Sequence, residues 1–126
     1  MPSQSASESA AIVMFLMRLP NPSPRTVAAV HDAATWFEKT KLRDVVFKPT
    51  GENGRQLVPS PGSGPLWARY YEIGSDRPIF GDRDKTIHDD VNEVSKERRN
   101  GYSWFNETPR QALELFVRWH AAHPRP

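Results

Sequence analysis

A chain of 126 residues with 17 basic and 15 acidic side chains, net charge +2, is one domain or part of one, with enough chain for a core. The two signs of charge are interleaved, which argues against a broad nucleic-acid surface and leaves room for local arginine sites. Cysteine is absent, which excludes a disulfide framework and a thiolate metal site.

The apolar run Ala10 to Met17 is too short to span a bilayer, which needs roughly 20 residues, so no membrane partner is expected. Met1 to Ser9 carry no basic leader. A first helix is predicted from Ser7 or Glu8 to Arg18, capped by Ser5 or Ser7 and stopped by Pro20. Its middle, Ile12 to Met17, is apolar all round, as in a helix covered on more than one side. Ser23-Pro24 predicts a second helix over 24–39, with Val27, Val30, Ala34 and Phe37 as its inner stripe. His31 beside that stripe reads as a packed or surface residue, since no second histidine follows at ligand spacing.

Residues 41–90 change texture to short strands and turns. Asp44 to Phe47 and Arg55 to Val58 read as a hairpin closed by Thr50 to Gly54. Pro59 to Pro65 reads as a rigid lead-in to the next strand rather than a linker between domains. The glycines there lack the lysine and hydroxyl residue of a phosphate loop.

That next stretch, Trp67 to Arg83, holds the candidate site. As one strand, Trp67 to Ile73 would place Trp67, Arg69 and Tyr71 on one face, an arginine between two aromatics. A guanidinium offers a planar donor fork to a carboxylate, while rings cover the apolar face of a sugar. Nucleic acid would suit the same face, and so would plain packing with the arginine stem laid along it. Gly74-Ser75-Asp76 is a turn, and Arg77 and Arg83 come back toward Arg69.

A third helix is predicted over 91–99, stopped by Asn100-Gly101, with Glu93 and Glu97 as neighbours and Arg98 and Arg99 on a solvated face. Tyr102 to Phe105 reads as an aromatic corner packed under a loop. Thr108-Pro109 opens a fourth helix over 109–122, with Leu113, Phe116, Val117 and His120 as its buried stripe. The fold class expected is mainly α, a helical scaffold carrying its functional surface on the 41–90 excursion.

The blocks Gly64 to Ile73, Asp76 to Phe80, Asp82 to Asp84 and Glu97 to Trp104 resemble, in order and spacing, the C-terminal part of the family 10 polysaccharide lyases, the pectate lyases. The resemblance runs from near Pro2 to about Trp119. It implies an α/α toroid, and calcium-dependent β-elimination on polygalacturonate, in which the C5 proton is removed and the O4-linked sugar leaves. It further implies export to a secreted or periplasmic location. The substrate-binding arginines of that family are matched here by Arg69 and Arg83, with Arg77, Trp67 and Tyr71 beside them. Asp82 and Asp84 are expected to hold Arg83 rather than a metal. The catalytic base, an arginine in that family, and the calcium-binding aspartates are expected upstream of Met1, in the rest of the lyase domain. The chain would then be a C-terminal piece without turnover of its own, and Ile12, Phe15 or Leu16 would be left uncovered. The family's Tyr-Gly after the Trp104 position is Phe105-Asn106 here, which leaves that corner without a role. A non-catalytic binder of acidic glycans is the alternative reading, and a nucleic-acid module the third.

Overall fold

The computed structural model describes residues 2–126. Strand β1 (Ser3–Ser5) runs into helix α1 (Ala6–Met17), and helix α2 (Pro24–Thr40) follows. Strands β2 (Val45–Pro49) and β3 (Arg55–Pro59) form the expected hairpin around a 3-10 turn at Gly51–Asn53. Four short strands come next, β4 (Trp67–Ala68), β5 (Tyr70–Glu72), β6 (Phe80–Gly81) and β7 (Ile87–His88). Helix α3 (Lys96–Gly101), strand β8 (Phe105–Asn106) and helix α4 (Thr108–Ala122) complete the order.

The strands pair antiparallel as β1 with β5, β2 with β3, β4 with β8 and β6 with β7. The expectation of a mainly α chain, part of an α/α toroid, is therefore corrected: the described residues form a mixed fold of helices and small antiparallel sheets. The reason lies in strand partners far apart in sequence. Ser3–Ser5, read as helix lead-in, pairs with Tyr70–Glu72, and Phe105–Asn106, read as a corner, pairs with Trp67–Ala68. Pairing between such distant segments leaves little trace in local periodicity.

Helix α2 starts as its residues dictate. Ser23 Oγ accepts the Thr26 N–H at 3.1 Å and Pro24 occupies the first turn, a cap that contributes about 1 kcal/mol. Val27, Val30, Ala34 and Phe37 are buried, and His31 joins them, its Nε2 2.7 Å from the His123 carbonyl. Helix α4 turns a different side inward from the one expected. Ala112 is buried and Leu113, Phe116 and Trp119 half-buried, whereas Val117 and His120 are exposed. The rings of Phe116 and Trp119 close over His31, at 5.0 and 5.8 Å, which sets that rotation.

The helix predicted over 91–99 is divided. Asp90 caps a single 3-10 turn at Val91–Glu93, Val94 is extended and buried, and α3 restarts at Lys96. Asp82 enforces the break, for its carboxylate takes both the N–H and the hydroxyl of Ser95 at 2.8 and 2.9 Å. Glu93 and Glu97 are consequently not helical neighbours: Glu93 faces His88 and Glu97 faces Arg83.

Trp67 to Ile73 is not one continuous strand. The Arg69 N–H donates to the Trp104 carbonyl at 2.7 Å and its carbonyl accepts the Ala6 N–H at 3.1 Å, so the chain changes partner at that residue. The segment 59–65 is pinned rather than free. Leu42 and Leu66 form a bridge, and Asp44 Oδ1 accepts the Gly62 N–H at 2.8 Å. Gly64 has φ +98° and a Cβ there would lie 3.0 Å from the Leu42 carbonyl, so both backbone and space require glycine.

The core gathers Val30 and Phe37 of α2, Ala6, Ala10 and Val13 of α1, Trp67, Tyr71, Phe80, Val91 and Trp104. Helix α1 leaves Ile12 and Phe15 59% and 60% exposed, as expected of an apolar helix with one side uncovered. No helix among the described residues is long and apolar enough to cross a membrane.

Candidate functional site

Because the chain switches partner at Arg69, the three residues expected on one face separate. Trp67 and Tyr71 are 0% exposed. Trp67 Nε1 donates to the Phe37 carbonyl at 3.0 Å, and the Tyr71 hydroxyl donates to the Thr40 carbonyl at 3.1 Å while accepting the Ala68 N–H at 3.0 Å. Both rings are interior struts against α2, and burial pushes the Tyr71 phenol up to about 12. The expectation that they flank a ligand with Arg69 is corrected: neither offers a surface to one.

Arg69 lies elsewhere, half-buried among other tyrosines. Its guanidinium carbon is 5.6 Å from the Tyr70 ring centre and 4.9 Å from that of Tyr102. Arg98 approaches the same Tyr102 ring at 4.5 Å and Trp104 at 5.5 Å. Arg98, read from sequence as a solvated residue, is thus part of the cluster, and so are Tyr70 and Tyr102. A local signal for it exists, since Arg98 precedes Tyr102 by four positions and Trp104 by six, within one short helix and its exit.

A groove of about 330 Å³ opens here, lined by Tyr70, Arg98, Tyr102 and Trp104, with Gly81 and Ile87 of the β6–β7 hairpin as another wall. The Tyr70 hydroxyl is held by the Tyr102 hydroxyl at 3.4 Å and by Arg69 Nε at 3.3 Å. Those two contacts, the tyrosine first, lower the Tyr70 pKa, whereas the same bond and then burial raise that of Tyr102. The bond to Tyr70 also raises Arg69.

The arginines differ in which edge they spend. Arg69 uses Nε on Tyr70, Arg98 uses Nε on the Gly81 carbonyl at 3.4 Å, and Arg83 uses Nε on both oxygens of Glu97, at 3.0 and 2.7 Å. Among the described residues none of the three commits its Nη groups. Arg77 does the opposite, with Nη2 toward Glu72 at 3.4 Å and Nη1 toward Asp89 at 3.6 Å. A guanidinium tethered by Nε presents its remaining edge to a carboxylate in bidentate fashion; one occupied at both ends does not. Arg69 and Arg98 have no carboxylate partner among the described residues, while Arg83 sits in the loop of the hairpin whose strands wall the groove.

The acids around Arg83 are divided in role. Glu97 holds its side chain and raises its pKa, and Asp82 takes its backbone N–H at 2.8 Å. Asp82 itself is lowered, first by the Ser95 backbone N–H and then by that of Arg83. Asp84 accepts from the N–H and hydroxyl of Thr86. The Asp82 oxygens are taken up by Ser95 and Arg83 and Asp84 Oδ1 by Thr86, and no three carboxylates or histidines among the described residues come together as a metal site requires.

The family model for pectic acid lyase matches residues 1–113. No curated protein matches the chain. Its structure is similar to that of a family 10 polysaccharide lyase from Cellvibrio cellulosa, with a TM-score of 0.81 and 30% identity. It is similar also to a mutant of a lyase from the same family and organism in complex with trigalacturonic acid, with a TM-score of 0.80 and 30% identity. Each match covers 92% of this chain and 36% of the other, so the chain spans just over a third of those lyases. A family model matched over most of the length, together with two solved lyases superimposing on the same fold, leads to one conclusion: the chain belongs to the pectic acid lyase family.

Proposed function

We propose that the chain carries the uronate-binding wall of a calcium-dependent pectate lyase acting on polygalacturonate, with the rest of the catalytic domain completing the reaction centre. The observation that carries this reading is the convergence of Arg69 and Arg98 on Tyr102, both without a carboxylate partner among the described residues and both with free Nη edges. A solved lyase of similar fold holds trigalacturonic acid, which supports the same ligand class here. Export to reach pectin belongs to the same proposal, as does the status of the chain as a C-terminal piece.

In β-elimination the C5–H bond breaks, its electrons form the C4–C5 double bond, and the O4-linked sugar leaves. Negative charge builds on the adjacent carboxylate as the proton departs. Arg69 and Arg98 would bind that carboxylate or its neighbour in the polymer and stabilise the added charge, with Tyr102 holding the two guanidinium groups in place. No residue of this chain is assigned as the base. The carboxylates present do not fit calcium, so no step at these residues runs through the ion.

Calorimetry with trigalacturonate tests the reading. Arg98→Ala should weaken binding roughly tenfold, as expected for one lost charge-assisted contact, and Arg77→Ala about twofold or less. Equal binding of a neutral trisaccharide, or indifference to both Arg69→Ala and Arg98→Ala, would overturn it. Cleavage is followed by absorbance of the unsaturated product in a protein that joins this chain to an upstream lyase segment. Binding without any such product would favour a non-catalytic acidic-glycan binder instead.

A further inference from the structure

A second groove, of about 370 Å³, adjoins the first and shares Tyr102 and Trp104 with it. Its other walls include Phe47, Arg55, Asn100 and Ser103. The Arg55 guanidinium lies 5.3 Å over the Phe47 ring, and its one hydrogen bond within the described residues is a long contact from Nη2 to the Phe47 carbonyl, at 3.4 Å. No carboxylate pairs with it among the described residues.

The backbone at this arginine is held firmly. The Arg55 N–H donates to Asn100 Oδ1 at 2.7 Å, and the Arg55 carbonyl accepts from Arg99 Nη1 at 3.0 Å. The first contact fixes the Asn100 amide with its oxygen engaged, which leaves the NH2 as a free donor. One groove therefore gathers a cation over an aromatic ring, an amide donor and the Ser103 hydroxyl. Those are complementary to the carboxylate, the apolar face and the hydroxyls of a sugar acid.

We propose that the Arg55 groove is a second uronate subsite, which binds a further residue of the same polyuronate chain that lies against Arg69 and Arg98. The inference rests on the uronate-binding reading above and adds a length requirement to it. A ligand long enough to reach both grooves gains the second contact, and a short one does not, because linking two sites turns the second binding into an intramolecular event.

Oligogalacturonates of three to six residues, titrated into the chain, test this. Affinity should rise with length. Arg55→Met keeps the stem on Phe47 and both backbone bonds; it should remove the gain, about tenfold for the longest ligand, and leave the trimer within about twofold. Arg55→Glu should reduce the longer ligands further, with circular dichroism and Tm confirming that each variant folds. Unchanged length dependence in Arg55→Met would overturn the second subsite even where Arg98→Ala still weakens trimer binding. An equal loss for trimer and hexamer would overturn it as well, making Arg55 part of the first site. Trimer binding insensitive to both Arg69→Ala and Arg98→Ala would instead overturn the reading on which the inference rests.

Discussion

Tyr71→Phe separates a structural strut from a ligand contact. The change removes one oxygen at a position that is 0% exposed, and with it the bonds to the Thr40 carbonyl at 3.1 Å and from the Ala68 N–H at 3.0 Å. A buried acceptor and a buried donor are left without partners, each costing about 1–3 kcal/mol, and the ring otherwise keeps its packing. A loss of about 3 kcal/mol is expected, which lowers Tm by roughly 10 °C in a chain of this size. The loss also depends on pH. Burial raises the folded phenol to about 12, so the unfolded chain ionises first, near pH 10, and the stability of the native protein falls as pH rises between the two values. Phenylalanine cannot ionise, so the gap between native and variant should be full below pH about 10 and narrow toward pH 12. Thermal melts followed by circular dichroism from neutral to alkaline pH measure both effects, and calorimetry with trigalacturonate at neutral pH should give nearly the native affinity. An unchanged Tm with a tenfold or larger loss of affinity would refute the assignment and return Tyr71 to the ligand.

Two other outcomes follow from the packing. Asp82 has a lowered pKa through the N–H groups of Ser95 and Arg83, so its contribution is full above the ordinary value of 3.8 and is lost as pH falls toward the lower folded value. Acid melts of the native chain and Asp82→Ala should therefore differ at neutral pH and converge in acid; divergence that grows on acidification would contradict the bond pattern. On α1, Ile12→Gln with Phe15→Gln should change stability by about 0.5 kcal/mol or less in thermal melts, because both side chains are largely exposed. A loss of about 2 kcal/mol or more would mean that these residues already pack against something in the folded chain.

Much of this protein was legible in the sequence where physics acts locally. Ser23-Pro24 starts α2 because a cap and a fixed φ work within one turn, Pro109 in the first turn of α4 acts through its φ without a side-chain cap, and the 45–59 hairpin closes over a short glycine-bearing turn. The blocks of rare residues from Gly64 to Trp104 pointed to the lyase family. What local reading could not supply was the direction of each side chain. Alternation along a strand places Trp67, Arg69 and Tyr71 together only if the strand is continuous, and the bonds of Arg69 to Trp104 and Ala6 break it. Which edge an arginine keeps free was likewise settled by partners distant in sequence: Glu97 for Arg83, Asp89 for Arg77, the Gly81 carbonyl for Arg98. The sequence alone determined the first two helices, the fourth, the 45–59 hairpin and the family, because caps, turns and rare-residue spacing act over a few residues. Only the tertiary structure decided which guanidinium groups face a groove with an edge to offer, because that depends on strand pairings and ion pairs formed across the whole chain.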